Sequence, residues 1–444
     1  MTDVVMNDAQ SNEQMLRDRA NHASDAVKRS LKKRYAAEAR FKAYGITAIG
    51  IALAAVVILF TTIISSGLPA FTDTTITLNV ELKEDVIDPE GTRDPLTLAN
   101  ANYRKIVFDT LLAEMPEVQG RRDKRALTSM LSQGASFQVQ QLVTADPSLI
   151  GQTVELALPV AADFDLYKKG VINKDTDEAD RRVSDKQMAW FDTLEERGII
   201  QTGFNTTFFA NADSREPELA GIWGATMGSL FTMLVTLLMS FPIGVCAAVY
   251  LEEFAPKNRL TQIIEVNINN LAAVPSIVFG LLGLAVFINF FGLPRSAPLV
   301  GGMVLALMTL PTIIIAARAA LKAVPPSIRE AALGLGASRM QVVTHHVLPL
   351  AMPGILTGTI IGMAQALGET APLLMIGMVA FIVDIPGSVT DPATVLPVQV
   401  FLWADSPERA FVARTSAAIM VLLTFLIFMN ALAVVLRKKF ERRW

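Results

Sequence analysis

Six long stretches that are almost free of charged residues constrain the fold of this chain more than any other feature of its sequence. The stretches are Ala43–Ile64, Leu219–Leu251, Val266–Pro294, Ser296–Ala317, Val342–Val383 and Thr415–Leu436. A helix that crosses a lipid bilayer needs about 20 consecutive apolar residues, and each stretch is long enough. The sequence therefore predicts an all-α polytopic membrane protein with six transmembrane helices, the first of them at residues 43–66.

Lysine and arginine are unevenly distributed among the segments that join these stretches. Residues 28–42 contain seven basic residues and one glutamate, and residues 437–444 contain five basic residues and one glutamate. Segment 318–341 is also basic, whereas segment 384–411 is acidic. Because cytosolic segments of membrane proteins carry an excess of lysine and arginine, we expect both termini in the cytosol, as a basic N-terminal segment (1–42) and a basic tail (437–444).

The segment at 67–217 differs from the rest of the chain in its charge. It holds 16 basic and 25 acidic residues, a net charge of −9, whereas the whole chain has a net charge of −3. Alternation of the spans places it outside the cytosol, and its short apolar runs predict a small domain of mixed α/β type. The overall charge excludes a strongly basic nucleic-acid binder, and a single cysteine with three histidines at unsuitable spacing predicts no metal site.

The stretch at 324–353 predicts two short helices joined by a glycine turn. Ser327–Glu330 has the S-x-x-E form of a capping box, which starts a helix. Gly336 can adopt the left-handed conformation that ends one. Ser338–Gln341 repeats the capping pattern as S-x-x-Q, and Pro349 interrupts the helical pattern before the next span. We expect this pair of helices on the cytosolic side, between the fourth and fifth spans.

The same stretch resembles the EAA loop of binding-protein-dependent ABC importer permeases. The matching residues are Glu330, Ala331, Ala332, Gly336, Leu348 and Pro349. The resemblance implies a permease core over 218–436 with the type I ABC importer fold. It also implies that the loop, at about 324–349, docks on a separate ATPase subunit. His346 stands where that family usually has isoleucine.

Two further stretches resemble the PstA-type phosphate permeases. They are Tyr250–Leu284 and Gly368–Leu374, the latter reading GETAPLL. The resemblance implies import of inorganic phosphate across a bacterial plasma (inner) membrane, with the lipid bilayer as surroundings. The implied partners are an ATP-binding subunit, a second homologous permease subunit and an extracytosolic phosphate-binding protein. The chain contains no G-x-x-x-x-G-K-[ST] motif, so we expect no cofactor, no catalytic residues and no ATPase activity of its own, with ATP bound by the partner.

Two charged residues near the apolar stretches are candidates for the translocation pathway. Ionisable residues within a membrane are costly and mark function by default, which singles out Glu369. Arg318 lies at the cytosolic end of the fourth span, where it could attract an anion or reach to the interface. Two alternatives remain open from the sequence: a permease for another oxyanion, sulfate or molybdate, and a membrane receptor that senses a ligand through 67–217.

Overall fold

The structure is a computed structural model that describes the backbone of residues 2–440 and the side chains of residues 30–439. The end of the predicted basic tail, residues 441–444, lies outside the described residues. So do the side chains of the predicted N-terminal segment as far as residue 29. The first helix, α1 (Thr2–Gly67), contains the first predicted span, and the apolar side chains of that span are exposed.

A three-stranded antiparallel sheet organises the acidic segment. Its strands have the order β2-β1-β3 and comprise β1 (Thr72–Glu81), β2 (Thr153–Pro159) and β3 (Ile200–Phe204). Ile76, Leu78 and Val80 alternate with more exposed residues along β1 and form the buried face of the sheet, because successive side chains of a strand point to opposite faces. We call residues 72–204 the sheet domain.

Helices cover the buried face of this sheet. They are α2 (Glu84–Ile87), α3 (Pro95–Asn100), α4 (Tyr103–Glu114), α5 (Arg121–Thr128), α6 (Gln133–Ala145), α7 (Ala162–Lys168) and α8 (Asp185–Glu196). A further short helix, α9 (Thr206–Ala210), follows the sheet and buries Phe208 in a separate cluster with residues of the helical part. Leu111, Val139 and Phe191 are fully buried in the common core. The segment is therefore of mixed α/β type, as its sequence predicts.

The remainder of the chain is helical. Its helices are α10 (Trp223–Val249), α11 (Arg259–Ala272), α12 (Ser276–Leu282), α13 (Pro298–Lys322), α14 (Pro326–Gly334), α15 (Arg339–Gln341), α16 (Leu348–Leu367), α17 (Ala371–Met375), α18 (Leu396–Ala404) and α19 (Phe411–Phe440). Short π-helical segments extend α10, α12 and α15. Helix α13 is central, since it packs against both α10 and α16.

Five of the described helices are long and apolar enough to cross a bilayer, and a sixth is obtained when the bent pair α11 and α12 counts as one span. This pair includes most of the apolar run Val266–Pro294, for which the sequence predicts the third span. The helix axis bends by 105° between α11 and α12. Pro275 lies at this break, and a proline has no N–H to donate and disfavours helical conformation in the residue before it. The fifth apolar run is broken: its helix ends at Leu367, and the run continues as a break around Glu369 and the short α17, as Gly368 and Pro372 on either side of this charge predict.

Candidate functional site

The loop between α13 and α16 begins with α14 and a tight glycine turn. Gly336 has a φ of +88°, a conformation that favours glycine over every other residue. Its N–H donates to the carbonyl of Leu333 at 2.9 Å, and the N–H of Ala337 donates to the carbonyl of Ala332 at 3.1 Å. These two bonds form a Schellman motif, so the predicted glycine cap at the end of this helix is confirmed.

The start of α14 differs from the prediction. The helix begins at Pro326, with Pro325 as its N-cap and no side-chain cap. Proline is favoured at the first helical position, because the N–H that it lacks would have no partner there. Ser327 therefore lies inside the helix, and the capping box predicted for Ser327 and Glu330 does not form.

The second helix starts as predicted but does not stop at Pro349. Ser338 and Gln341 form a reciprocal capping box, with bonds of 3.3 and 2.9 Å. From Arg339 the chain stays helical as far as Leu367, through a π-helical segment at Val342–Val347. The glycine turn therefore leads directly into a span, without a hinge between them.

The turn presents apolar side chains to solvent. Leu335 is 90% exposed, and Leu333 and Met340 are 47% and 60% exposed. Of the three residues that resemble the EAA signature, Glu330 and Ala331 are exposed. The third, Ala332, is 6% exposed and packs with the ends of the spans. An exposed apolar tip on a rigid base is suited to insertion into a groove of a partner protein.

The beginning of α14 and the beginning of α16 lie side by side. A cavity of about 340 Å³ is lined by residues from both, among them Pro325 and Ile328 on one side and Pro349 and Pro353 on the other. Leu348 and Pro349 are half-buried next to it. The two ends of the EAA-like stretch, separated in sequence, are thus close together at the base of the loop.

Arg329 fastens the loop to two other helices. Its Nη2 lies 2.7 Å from Oε1 of Glu253, in the segment that follows α10. Its guanidinium also donates to the carbonyls of Leu321, at the end of α13, and of Val324, at 2.9 and 2.7 Å. The side chain of Glu253 is only 12% exposed. Glu253, which the sequence does not single out, therefore belongs to the site.

Arg318, the first predicted pathway residue, lies in a cluster of charges. Its Nη2 is 2.8 Å from Oε1 of Glu265 on α11, and its Nε is 3.5 Å from Oε2 of Glu252. Lys322 also reaches Glu252 at 3.5 Å. The positive charge of Arg318 is thus balanced by two carboxylates, and these contacts connect α11, α13 and the end of α10.

Glu369, the second predicted pathway residue, lies in the break between α16 and α17. It is half-buried, and among the described side chains it has no ion pair and its carboxylate has no hydrogen bond. The two predicted pathway residues do not contact each other.

The two stretches that resemble phosphate permeases meet in space. Gly280 on α12 faces Pro372 on α17, and a Cβ built on Gly280 would lie 2.7 Å from Cα and 2.8 Å from the carbonyl oxygen of Pro372. Such a distance leaves no room for a methyl group. The glycine allows the second half of the bent span to pack directly on α17, next to Glu369.

Two half-buried carboxyls lie where the sheet domain joins the helical part. Burial raises the pKa of Glu218, although Ser132 donates a hydrogen bond to it. Its Oε2 is inaccessible to solvent and has no hydrogen-bond partner. Burial also raises the pKa of Asp73, and the neighbouring Asp165 adds to the effect. These groups disfavour their charged forms and so couple this junction to pH.

Comparison with known proteins finds two family models in the chain. The model described as "Binding-protein-dependent transport system inner membrane component" matches residues 240–443. A "Domain of unknown function (DUF3333)" matches residues 28–178 and covers most of the acidic segment.

Several curated proteins are similar to about half of this chain. "Phosphate transport system permease protein PstA 1" of Mycobacterium tuberculosis (strain CDC 1551 / Oshkosh) is 30% identical over 51% of this chain and 74% of its own length. PstA of Haemophilus influenzae is 31% identical over 48% of this chain and 74% of its own length. "Probable ABC transporter permease protein YqgI" of Bacillus subtilis is 34% identical over 40% of this chain, which spans 59% of that protein.

Proposed function

Because the chain belongs to the family of binding-protein-dependent transport permeases that includes the PstA proteins, we propose that it is the translocation subunit of an ATP-driven importer of inorganic phosphate. The chain is a multi-pass protein of the inner membrane with a helical core. The observation that carries the proposal is the glycine turn at Gly336, which we call the coupling turn. It exposes an apolar tip, and it lies in a chain that is similar in sequence to the PstA proteins. ATP is bound by a partner subunit, and this chain itself needs no cofactor.

The proposed topology has six spans, with α11 and α12 together forming the third. Both termini are cytosolic, and residues 67–217 are extracytosolic. The excess of lysine and arginine in 28–42 and 318–341 supports this orientation. Cysteines introduced at Glu178 and at Leu335 test it in intact cells. We expect a membrane-impermeant thiol reagent to label the first and not the second, and the opposite result would invert the topology.

Three protein partners complete the proposed transporter. An ATP-binding subunit docks on the coupling turn, a second homologous permease completes the pathway, and an extracytosolic binding protein delivers phosphate. For the first partner we expect Leu335→Asp to abolish co-purification of the ATP-binding subunit, because a charge would replace the 90% exposed leucine at the tip. Val171→Asp is the matched control, since Val171 is a 58% exposed apolar residue in the segment proposed to lie outside the cytosol. Equal co-purification with both variants would refute the docking site.

The substrate is tested by uptake in a strain that lacks this chain. We expect loss of high-affinity uptake of labelled phosphate and its return when the chain is supplied on a plasmid. Loss of sulfate or molybdate uptake, with phosphate uptake unchanged, would instead assign another oxyanion. Normal uptake of all three would favour a receptor that senses through 67–217.

Within this transporter, Glu369 is the proposed pathway residue with the clearest test. It is half-buried beside the contact of Gly280 with Pro372 and has no partner for its carboxylate among the described side chains. A direct phosphate ligand would not be a carboxylate, so we propose that Glu369 acts in gating. Glu369→Gln with full uptake would remove this role. For Arg318 we propose a structural role in the pathway. Its ion pairs with Glu252 and Glu265 fix the relative positions of the helix ends at the cytosolic side of the pathway.

A further inference from the structure

We propose that the sheet domain contains a binding pocket for a phosphate group, either free or as part of a phosphate ester. The pocket lies where α4, α5 and α6 meet and has a volume of about 380 Å³. Twelve residues line it, two of them arginines and none of them acidic. This composition differs from that of two other cavities at this acidic segment, whose linings include the carboxylates of Asp165 and of Asp163.

The two arginines of the pocket, Arg104 and Arg125, are available to a ligand. Among the described side chains neither guanidinium has a hydrogen bond or an ion pair. Arg181 and Arg197 of this domain are instead paired, with Asp185 and Glu117. Arg121 and Arg122 also have no ion pair among the described side chains, but they do not line the cavity.

The geometry of the pocket suits an oxyanion. Arg104 lies with its Cζ 4.9 Å from the centroid of the Phe108 ring, which positions the guanidinium at the cavity without using its hydrogen-bond donors. A guanidinium presents a planar set of donors that matches the oxygens of a phosphate. Two such groups balance the charge of a phosphate dianion. The side-chain amide of Gln133, which also lines the cavity, adds a donor that has no partner among the described residues.

The size and the remaining lining of the pocket indicate what the phosphate is attached to. The cavity is larger than one inorganic phosphate, and Phe108, Leu131 and Phe137 give it an apolar part. Phe137 is 56% exposed, so its ring is free to contact a ligand. An organic group attached to the phosphate would cover this surface, and we therefore expect an ester to bind more tightly than free phosphate.

The chain provides a matched control for charge alone. Arg121 and Arg122 lie on α5, as Arg125 does, and they are exposed. Neither of them lines the cavity. A double variant R121Q/R122Q removes the same charge as R104Q/R125Q from almost the same place and leaves the pocket intact.

The test is equilibrium binding to the purified full-length chain in dodecyl maltoside, a detergent without phosphate. The probes are inorganic phosphate, phenyl phosphate and sulfate. We expect saturable binding of phenyl phosphate, weaker binding of inorganic phosphate, and at least tenfold weaker binding of both to R104Q/R125Q, since this variant loses the charge-assisted hydrogen bonds of both guanidinium groups. R121Q/R122Q should bind within twofold of the wild type. The conservative R104K/R125K should recover part of the affinity.

Several outcomes would overturn the proposal. They are absence of saturable binding, equal loss in the two double variants, undiminished binding to R104Q/R125Q, and sulfate binding as tight as that of phosphate. If R104Q/R125Q unfolds at a lower temperature than the wild type, binding is measured with the single variants R104Q and R125Q instead. Undiminished binding of phenyl phosphate to both single variants would then overturn the proposal. The pocket is independent of transport, because binding to the isolated chain requires neither the ATP-binding subunit nor uptake.

Discussion

Arg329 and Glu253 form a two-pronged ion pair across 76 residues of sequence, with Nη2 2.7 Å and Nε 3.2 Å from Oε1. The same guanidinium donates to the carbonyl of Leu321 at the end of α13. One side chain of the loop between α13 and α16 is therefore bonded to the end of α13 and to the segment that follows α10. A partner that moves the loop would move the ends of α10 and α13 with it, which is how a rigid contact transmits a conformational change.

We expect Arg329→Gln to lower phosphate uptake at least tenfold while the chain remains in the membrane. The change leaves Glu253 half-enclosed without a partner, and breaking a buried ion pair costs about 3–5 kcal/mol. The free-energy cost of breaking this pair should be smaller, because the side chains of Arg329 and Glu253 are 22% and 12% exposed and water screens their charges. Uptake is measured per amount of chain in purified membranes.

Arg339→Gln is the control for this variant. Arg339 lies in the same loop, is exposed, and has no ion pair among the described side chains. It should leave uptake within twofold of the wild type. If both variants lose uptake equally, the basic charge of the loop matters and the ion pair does not.

Gly336→Ala should weaken coupling, and Gly334→Ala should not. Neither residue has an atom within 4 Å of an added Cβ, but Gly336 alone has a positive φ, of +88°. An alanine there costs about 1 kcal/mol, which is about a fivefold change in the population of the native turn. Co-purification of the ATP-binding subunit measures the effect. Equal co-purification with both variants would mean that the turn tolerates other backbone conformations.

Features encoded by neighbouring residues could be predicted from the sequence. The long apolar runs locate the long helices, and the Ser338 capping box and the Gly336 cap form where their patterns stand. Local patterns fail where they compete. Pro326 displaces the start of α14 from Ser327, and packing of α16 against α13 keeps the chain helical through Pro349.

Contacts between distant residues could not be predicted in this way. Nothing in the sequence around Glu253 indicates that Arg329 will reach it, because their meeting depends on how α10 and α13 pack. The approach of Gly280 to Pro372 likewise depends on how the bent pair α11 and α12 packs on α17. A family resemblance identified both stretches, and only the fold brings them together.

Gly280→Ala should destabilise the contact of α12 with α17. Its methyl group would lie 2.7 Å from a backbone atom of Pro372, so the two helices must separate, at a cost of about 1–3 kcal/mol. We expect a lower unfolding temperature in detergent and reduced uptake. Gly362→Ala is the control, because its methyl would meet no atom closer than 3.7 Å. Unchanged stability of Gly280→Ala would show that this contact opens at little cost.

The junction at Glu218 should make the stability of the chain depend on pH. Burial raises the pKa of this carboxyl above its ordinary value of 4.5, and Ser132, Glu216 and Arg414 are the groups that act on it. The folded state therefore holds the proton more tightly than the unfolded state. The stabilisation that this proton gives is present below pH 4.5 and is lost as pH rises through the raised pKa.

Glu218→Gln removes this titration, since the amide has no charge to bury. We expect the variant to unfold at a higher temperature than the wild type at pH 8, and the difference to shrink as the pH is lowered to 5. Glu178→Gln, at an exposed carboxyl of the sheet domain, should follow the wild type at every pH. Thermal unfolding of the three proteins between pH 5 and pH 8 measures this. A difference between Glu218→Gln and the wild type that stays constant with pH would mean that Glu218 does not titrate in this range.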